Sequence, residues 1–397
     1  MEKPKNPIPL FKVYMAPNAS KDLEPILNSG YIGQGPKVEE FEKLLKEYFN
    51  TDHLVSVNNA TSGEHLAFHL IKNPGKKYGS QQYPISWDSK WPGINPGDEV
   101  LATSLTCTAT NFPILANGFN IKWVDVNPLN ANIDLDDLKR KITPKTKAVI
   151  FVHWGGYPVD LDIVKEIQQE SLDMYGFKPA VIEDCAHAFG STYKGIPIGN
   201  HGNINTFSFQ AIKHLTTVDG GCLILPHEDL HRRAKLLRWY GIDRDTNKKD
   251  FRCELDIPEW GFKFHMNDIN ATIGISNFKN ALINIEIHKE NAAYYNKELA
   301  NVDGVQLLEN KEGFDSAYWI YSMLVDNKPG FMKHMKECNI IVSQVHERND
   351  IHSCVSQYRA MLPNLEKLIP KLISIPVGWW VSKEEREYIV SCIKRGW

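Results

Sequence analysis

The sequence lacks the features that would place the protein outside the cell, in a membrane or on nucleic acid. Its 397 residues contain only seven cysteines, an odd number without any Cys-x-x-Cys pair, so neither a disulfide framework nor a metal site is expected. No apolar run approaches the roughly 18 residues of a membrane span, and the N-terminus has no long apolar segment of the signal-peptide type. Lys and Arg total 45 against 48 Asp and Glu, without a dense basic segment, which argues against a nucleic-acid surface. We therefore expect a reduced, cytoplasmic, globular protein.

Residues 98–225 alternate between short apolar runs and segments with helical periodicity. Continuous apolar runs separated by helices predict a mostly parallel sheet that is buried on both faces. Ligands bind outside the carboxyl ends of the strands in such a sheet. The first candidates for a site are therefore the polar residues that follow the strands: Thr106, His153, Asp184 and Ser208.

The remaining pattern predicts a large N-terminal unit followed by a smaller α+β unit. We place the boundary so that residues 1–245 hold an arm and the large domain, and residues 246–397 hold the small one. Thr61 or Ser62 is expected to cap a helix after the strand 54–57, and the polar, Pro/Gly-rich residues 74–97 are expected to form a surface insertion. Other expected elements are helices over 36–49, 228–241, 267–300 and 383–396 and strands over 320–325 and 340–345.

The segment VIEDCAHAFGSTYKGIPIGNHGNINTFSFQAIKHLTTVDGG (181–221) contains the most specific chemistry. A single Lys is usually a solvated charge, but Lys213 is flanked by Phe207, Phe209 and other apolar residues. Such surroundings desolvate an amine, lower its pKa and free it for attack on a carbonyl. Asp184 after an apolar strand fits a turn residue, and in a cleft it fits the partner of a protonated ring nitrogen.

Several motifs, taken in order, resemble the DegT/StrS family of nucleotide-sugar aminotransferases. These enzymes depend on pyridoxal 5′-phosphate (PLP) and share the aspartate aminotransferase fold, fold type I. The resemblance extends over nearly the whole chain. It implies a large α/β domain with a mostly parallel mixed sheet flanked by helices, a smaller C-terminal α+β domain, and a homodimer with shared active sites. The motifs are GYIGQGPKVEEFEKLL, NNATSGEHLAF, GDEVLATSLTCTATN, VIFVHWGGYPVDLD, IEDCAHAFGSTYKG, FSFQAIKHLTTVDGG, WGFKFHMNDINATIGISN and ISIPVGWW.

The resemblance implies a role for each matched residue. Lys213 would form the internal Schiff base with PLP and later move a proton between cofactor and substrate carbons. Asp184 would keep the pyridine nitrogen protonated, which makes the ring an electron sink. The residues implied at the PLP phosphate are Ser208, Ala60, Thr61 and Ser62, three of them at a helix N-terminus that favours an anion.

Three positions depart from the usual family pattern. His187 replaces a Gln and can still hydrogen-bond the ring oxygen of the cofactor, although a structural His is the alternative. Cys107 stands where an aromatic residue usually stacks on the PLP ring, and it equally fits a core residue. Lys263 takes the place of an Asn that reaches the PLP phosphate of the partner subunit, and it equally fits a surface lysine.

The residues that would bind the substrate carry less specific signals, and except for His153 each of them equally fits an ordinary polar residue on the surface. Arg238 in LLRWYG equally fits a structural role. The candidates for binding the sugar nucleotide are Tyr31, Gln34, His153, His346 and Arg348.

The resemblance implies transfer of an amino group from an amino acid, L-glutamate in the family, to a keto-sugar nucleotide. The expected acceptor is a 4-keto-6-deoxy hexose, which would give an amino sugar for surface glycans; a 3-keto sugar is the variant of this hypothesis. A dehydratase on the same scaffold is a second hypothesis. Dehydratases carry His in place of the reactive Lys, and Lys213, followed by His214, favours transamination. A non-catalytic binding protein is the third hypothesis.

Overall fold

The structure, a computed structural model, describes the greater part of the chain, namely residues 3–72, 77–78, 81–82, 91–244 and 256–397. Most of the predicted insertion at 74–97 therefore lies outside the described residues. Its last part belongs to the core, because Trp91 is 5% exposed and Ile94 is 1% exposed within the largest hydrophobic cluster. The prediction of a surface insertion is wrong for these two residues, since their apolar side chains are drawn into the core.

Within the described residues, the largest sheet has seven strands in the order β1 (Leu54–Val57), β11 (Gly221–Ile224), β10 (Ile204–Ser208), β7 (Ala180–Asp184), β6 (Thr146–Val152), β4 (Glu99–Thr103) and β5 (Asn120–Val124). Strand β11 (Gly221–Ile224) pairs antiparallel with both of its neighbours, and the pairs from β10 to β5 are all parallel. The central strands are buried on both faces between helices, as their continuous apolar runs predict. The predicted α/β fold with a mostly parallel mixed sheet is confirmed.

The described helices are α1 (Ala19–Asn28), α2 (Pro36–Phe49), α3 (Ala60–Leu70), α4 (Thr108–Ala116), α5 (Leu135–Lys141), α6 (Leu161–Tyr175), α7 (Glu228–Leu237), α8 (Asp268–Leu299), α9 (Lys328–Glu337), α10 (Pro363–Leu368) and α11 (Lys383–Lys394). The described strands are β1 (Leu54–Val57), β2 (Lys77–Tyr78), β3 (Gln81–Gln82), β4 (Glu99–Thr103), β5 (Asn120–Val124), β6 (Thr146–Val152), β7 (Ala180–Asp184), β8 (Thr192–Tyr193), β9 (Ile196–Pro197), β10 (Ile204–Ser208), β11, β12 (Val305–Leu307), β13 (Phe314–Asp315), β14 (Tyr321–Val325) and β15 (Leu372–Ile375). None of the helices in these ranges is both long and apolar enough to cross a membrane.

Helix α2 shows how the sequence pattern produces the packing. Its residues Val38, Phe41, Leu45 and Phe49 recur at intervals of three or four positions, and all four are buried. The helix ends at Asn50, whose left-handed φ of 49° stops the helical repeat. The apolar face of α2 packs against the long helix α8.

A second sheet, in the order β12-β14-β15, lies in the C-terminal part of the chain. The predicted strand over 340–345 is wrong, because Ile340 and Ser343 make isolated bridges to two different partners and Val345 has a left-handed φ of 72°. The third strand, β15, comes instead from the LISI run further along the chain. The predicted domain boundary between residues 245 and 246 lies outside the described residues and stays a prediction.

A buried ion pair joins three elements at the edge of the large sheet. The Arg238 guanidinium, 2% exposed, donates to the Glu42 carboxylate, to the Ser56 carbonyl at 2.8 Å and to the Ser56 hydroxyl at 3.1 Å. Burial alone would raise the pKa of Glu42, but the Arg238 charge and the Ser56 hydrogen bonds lower it below the ordinary 4.5. The structure thus gives Arg238 the structural role.

We expect Glu42→Gln to reduce the free energy of unfolding by about 3 kcal/mol at neutral pH, because it leaves the Arg238 charge buried and unpaired. The lowered pKa means that this stabilisation is present above pH 4.5 and is lost as the pH falls through the folded-state value. Chemical denaturation at several pH values measures it. Glu47→Gln on the same helix, where Glu47 is 65% exposed, is the control and should cost less than about 1 kcal/mol. Equal losses in the two variants would contradict the assignment.

Candidate active site

Three predicted residues lie at or just after the carboxyl ends of the parallel strands β7 and β10 in the large sheet. Asp184 is the last residue of β7 and Ser208 the last residue of β10. The two strands are parallel, with Thr206 opposite Asp184. Lys213 lies in the loop between β10 and β11. The predicted alternation of strands and helices therefore places all three where open α/β sheets bind ligands.

The Asp184 carboxylate is buried and held in one orientation by two donors. The Thr110 hydroxyl donates to Oδ2 at 2.6 Å, and the Ala186 backbone N–H donates to Oδ1 at 2.9 Å. Thr106 in turn donates to the Thr110 oxygen at 2.8 Å. Helix α4 thus positions the carboxylate through a threonine that the sequence analysis did not single out.

The Lys213 amine is desolvated, as its apolar neighbours predict. Its Nζ lies 3.6 Å from the centroid of the Trp319 ring. Burial lowers the pKa of Lys213 to about 8, against the opposing effects of Asp184 and Cys107. A substantial fraction of this amine is therefore neutral near pH 7 to 8, where an ordinary lysine is almost fully charged. Cys107 lies at the N-cap of α4, close enough to act electrostatically on the amine.

Stacked aromatic rings lie beside the Lys213 amine. The Trp319 ring stacks on His187 with the centroids 3.9 Å apart, and His346 lies parallel to His187 with their Nε2 atoms 3.4 Å apart. Burial and the nearby Lys213 lower the pKa of His187 well below its ordinary value and that of His346 to about 4, so both rings are neutral. The Gly155 N–H donates to Nδ1 of His187 at 3.3 Å, which places the proton of this ring on Nε2.

The N-terminus of α3 lies beside Ser208. Ser208 is paired with Gly221 across β10 and β11, and a Cβ atom on Gly221 would lie 2.8 Å from the Ala60 nitrogen. Only a residue without a side chain allows this approach of strand and helix. The cap of α3 is Asn59, whose side chain accepts from the Ser62 N–H at 2.8 Å. The expectation that Thr61 or Ser62 caps the helix is wrong, since both residues lie inside its first turn.

His153 is fully buried below this edge of the sheet. Its Nε2 lies 2.8 Å from a Glu183 oxygen, and its Nδ1 accepts from the Val159 N–H at 3.0 Å. His153, Glu183 and Cys185 offer potential metal ligands within 4.8 Å of one another. The Glu183 carboxylate also accepts from Asn203 at 2.7 Å, so hydrogen bonds already satisfy this cluster. Because the ring has no exposed surface, we do not retain His153 as a substrate residue.

The other predicted substrate residues lie in different surroundings. Arg348 donates to both oxygens of Asp350, at 2.8 and 2.6 Å, so its charge is already paired. Tyr31 is 85% exposed, and Oε1 of Gln34 is buried without a hydrogen-bond partner among the described residues. Lys263 is exposed, and its carbonyl accepts from the side chain of Asn58, next to the cap of α3, at 3.4 Å.

Besides Thr110, two further residues of the site, Trp319 and Glu64, were missed. Trp319 precedes the apolar strand β14, and no local pattern shows that it reaches Lys213 from more than one hundred positions away in sequence. Glu64 is 1% exposed. It stands four positions from both Ala60 and Phe68, on the buried face of α3, where an isolated acidic residue is unusual. That spacing was a usable signal.

Comparisons with known proteins find sugar aminotransferases and their family similar to this chain over almost its full length. Residues 14–394 match the DegT/DnrJ/EryC1/StrS aminotransferase family. The crystal structure of AtS13 from Actinomadura melliaura is 45% identical, with 99% of this chain and all of that one covered and a TM-score of 0.91. The sugar aminotransferase CalS13 from Micromonospora echinospora is 42% identical, with 98% of this chain and all of that one covered and a TM-score of 0.91.

A relative from Shewanella sediminis, UDP-4-amino-4-deoxy-L-arabinose–oxoglutarate aminotransferase, is 29% identical over 93% of this chain and 92% of its own length. The match covers the strands, loops and helices that carry Asp184, Ser208 and Lys213. The resemblance inferred from the motifs is confirmed: the chain belongs to the DegT/DnrJ/EryC1/StrS aminotransferase family and is a PLP-dependent aminotransferase of fold type I.

Proposed function

We propose that the protein transfers the amino group of L-glutamate to a keto-sugar nucleotide, with a 4-keto-6-deoxy hexose as acceptor, to make an amino sugar for surface glycans. The observation that carries the proposal is the half-buried, desolvated Lys213 amine, whose pKa is about 8 and on which the nearby Asp184 acts electrostatically. The Shewanella sediminis relative acts on a nucleotide-linked 4-amino sugar with oxoglutarate as co-substrate, according to its name, which supports the choice of donor and of keto position.

The orientation of two adjacent residues favours amino transfer over dehydration. The Lys213 amine is held within the electrostatic reach of Asp184. The His214 ring instead lies 3.0 Å from the Ala317 carbonyl, through Nε2, and packs against His288. A dehydratase of this scaffold would need an imidazole in the place that the amine occupies.

The residues present fit PLP. The close approach of Gly221 to Ala60 leaves the first turn of α3 beside Ser208, and N–H groups at a helix N-terminus together with a hydroxyl suit a phosphate group. We propose Ala60, Thr61, Ser62 and Ser208 as the residues that hold it. The Asp184 carboxylate, fixed by its two donors, suits a protonated ring nitrogen.

When bound, PLP supplies an electron sink that stabilises negative charge on the substrate carbon. Lys213 attaches the cofactor through Nζ and moves a proton at the same atom. Its lowered pKa leaves it able both to accept and to donate that proton near neutral pH. Asp184 holds a proton on the ring nitrogen. Cys107, beside the Lys213 amine, is proposed to lie against the ring, and His187 to bind the ring oxygen.

We further propose a homodimer in the cytoplasm, with each site completed by the second copy. The exposure of Tyr31 and Lys263 supports this, because both side chains are available to another chain. Lys263 is proposed to reach the PLP phosphate of the partner subunit as a point charge. Gln34 and His346 remain proposed substrate residues, since Gln34 has a buried oxygen without a partner in the part of the chain that the structure describes, and His346 stacks against Trp319. Arg348 is left out because Asp350 already pairs with it.

The direct test is the donor half-reaction. The purified protein should show a visible absorbance band with PLP, and L-glutamate alone should convert this band to that of the pyridoxamine form. Lys213→Ala should abolish the conversion because no amine remains to attach the cofactor or move the proton.

The matched control is His214→Gln, which keeps a donor toward the Ala317 carbonyl and should retain the conversion. Loss of the reaction in His214→Gln with retention in Lys213→Ala would reverse the assignment in favour of dehydration. A wild-type protein that binds no PLP would support the binding-protein hypothesis.

Substitution Cys107→Phe tests the ring contact. An aromatic side chain at this position should change the position or intensity of the cofactor absorbance band, because it would stack on the ring where the thinner Cys lies. The spectrum of the PLP-loaded variant measures this. Cys354→Phe, at an exposed cysteine, is the control and should leave the band unchanged. A wild-type spectrum in Cys107→Phe would show that residue 107 does not touch the cofactor.

A further inference from the structure

Glu64 is a buried acid that the proposed chemistry does not use. It lies on α3, one turn after the residues proposed at the phosphate, and is 1% exposed. Helix α3 packs on β7, β10 and β11. An ionised carboxylate in such a place costs a large desolvation free energy unless it is paired.

The contacts of Glu64 lead to Asp184. Its Oε1 accepts from the Thr206 hydroxyl at 3.5 Å, and Thr206 is the residue opposite Asp184 in the register of β10 and β7. After burial, the charge of Asp184 and a side-chain hydrogen bond with Asp184 are among the causes that raise the pKa of Glu64. The second oxygen of Glu64, Oε2, is buried and has no donor among the described residues. Two carboxylates cannot hydrogen-bond to each other unless a proton lies between them.

The surroundings decide which of the two acids holds that proton. Asp184 already accepts from Thr110 and from the Ala186 N–H, so each of its two oxygens has a donor. Among the described residues, only the Thr206 hydroxyl donates a hydrogen bond to Glu64, at 3.5 Å. Its pKa is raised well above 4.5 by burial first and then by the charges of Asp184 and Cys107, the titratable groups that face it from β7 and from the start of α4. The charged groups that act on the pKa of Lys213 are Asp184 and Cys107, and Glu64 is not among them.

We propose that Glu64 is a neutral positioning residue, whose protonated carboxyl group donates a hydrogen bond to the Asp184 carboxylate and so fixes the group that faces the ring nitrogen of PLP. The part about the ring nitrogen rests on the proposed function of Asp184. Helix α3 would then control both ends of the cofactor site: its first turn meets the phosphate, and Glu64, one turn later, supports the carboxylate at the ring.

The shared proton is tested on the full-length protein without PLP, by comparing wild type with Glu64→Gln. The amide mimics the protonated acid and cannot ionise. Because the unfolded chain releases the Glu64 proton above pH 4.5 while the folded chain keeps it, wild type should lose stability relative to the variant as the pH rises. The unfolding equilibrium constant of wild type divided by that of Glu64→Gln should rise by about tenfold per pH unit between about pH 5 and pH 7.

The matched control is Glu42→Gln, at a glutamate whose pKa is lowered by Arg238. The ratio of the wild-type unfolding equilibrium constant to that of Glu42→Gln should stay constant over the same pH range, because Glu42 is ionised in both the folded and the unfolded chain there. A constant ratio for Glu64→Gln as well would show that Glu64 is ionised in the folded protein, and it would overturn the proposal.

The positioning role is tested on the PLP-loaded enzyme with Glu64→Gln and Glu64→Leu. Glutamine retains a donor toward Asp184, so the pH midpoint of the cofactor absorbance should match that of wild type. Leucine removes the donor, and the midpoint should shift by about half a pH unit or more. Equal midpoints in all three proteins, or equal shifts in both variants, would overturn this role. Absence of a cofactor band in wild type would contradict the proposed function and leave the unfolding result unaffected.

Discussion

The desolvation of one amine is the constraint on which the site depends. The Lys213 side chain lies under the Trp319 ring, and its burial lowers the pKa to about 8. An exposed lysine would be fully charged near neutral pH and would not attack a carbonyl. The nearby Asp184 carboxylate opposes the shift, so the amine keeps a pKa within reach of physiological pH. We propose that this balance between desolvation and a neighbouring charge allows Lys213 both to bind the cofactor and to move a proton.

The fold supplies the geometry for this balance. Parallel strands end at the same edge of the sheet, so Asp184 and Ser208 lie close although they are separated in sequence. The strand β11 turns back antiparallel beside β10, and Gly221 lets it approach the first turn of α3. A helix N-terminus that suits a phosphate, the Ser208 hydroxyl and the Asp184 carboxylate therefore lie close to one another. Glu64, on the same helix, connects the phosphate end of the site with the carboxylate end.

Local pattern identified the residues whose position follows from the strands. Asp184 and Lys213 could be selected because one follows an apolar run and the other sits in an apolar loop, and motif order then identified the family. The same rule selected His153, but Glu183 on the neighbouring strand binds its ring below the surface. Trp319 could not be selected, since its contact with the lysine depends on packing between distant parts of the chain.

The secondary-structure predictions were likewise correct where neighbouring residues decide the structure and wrong where contacts with distant residues decide it. The helix over 36–49 follows its apolar period and was predicted with the observed bounds. The run at 340–345 has the composition of a strand, yet its bridges go to the N-terminal arm and to β15 in turn, and it forms no continuous ladder. The conformation of such a segment depends on which distant strands pair with it, and its amino-acid composition carries no information about those partners.

The central claim is that Lys213 and Asp184 serve the transfer of an amino group to a sugar nucleotide. The most direct measurement uses L-glutamate with a heavy-nitrogen label, the PLP-loaded enzyme and a panel of 4-keto- and 3-keto-hexose nucleotides, with mass spectrometry of the sugar products. We expect labelled nitrogen in the 4-amino sugar with wild type and none with Lys213→Ala. Consumption of the keto sugar without labelled nitrogen in the product would contradict it.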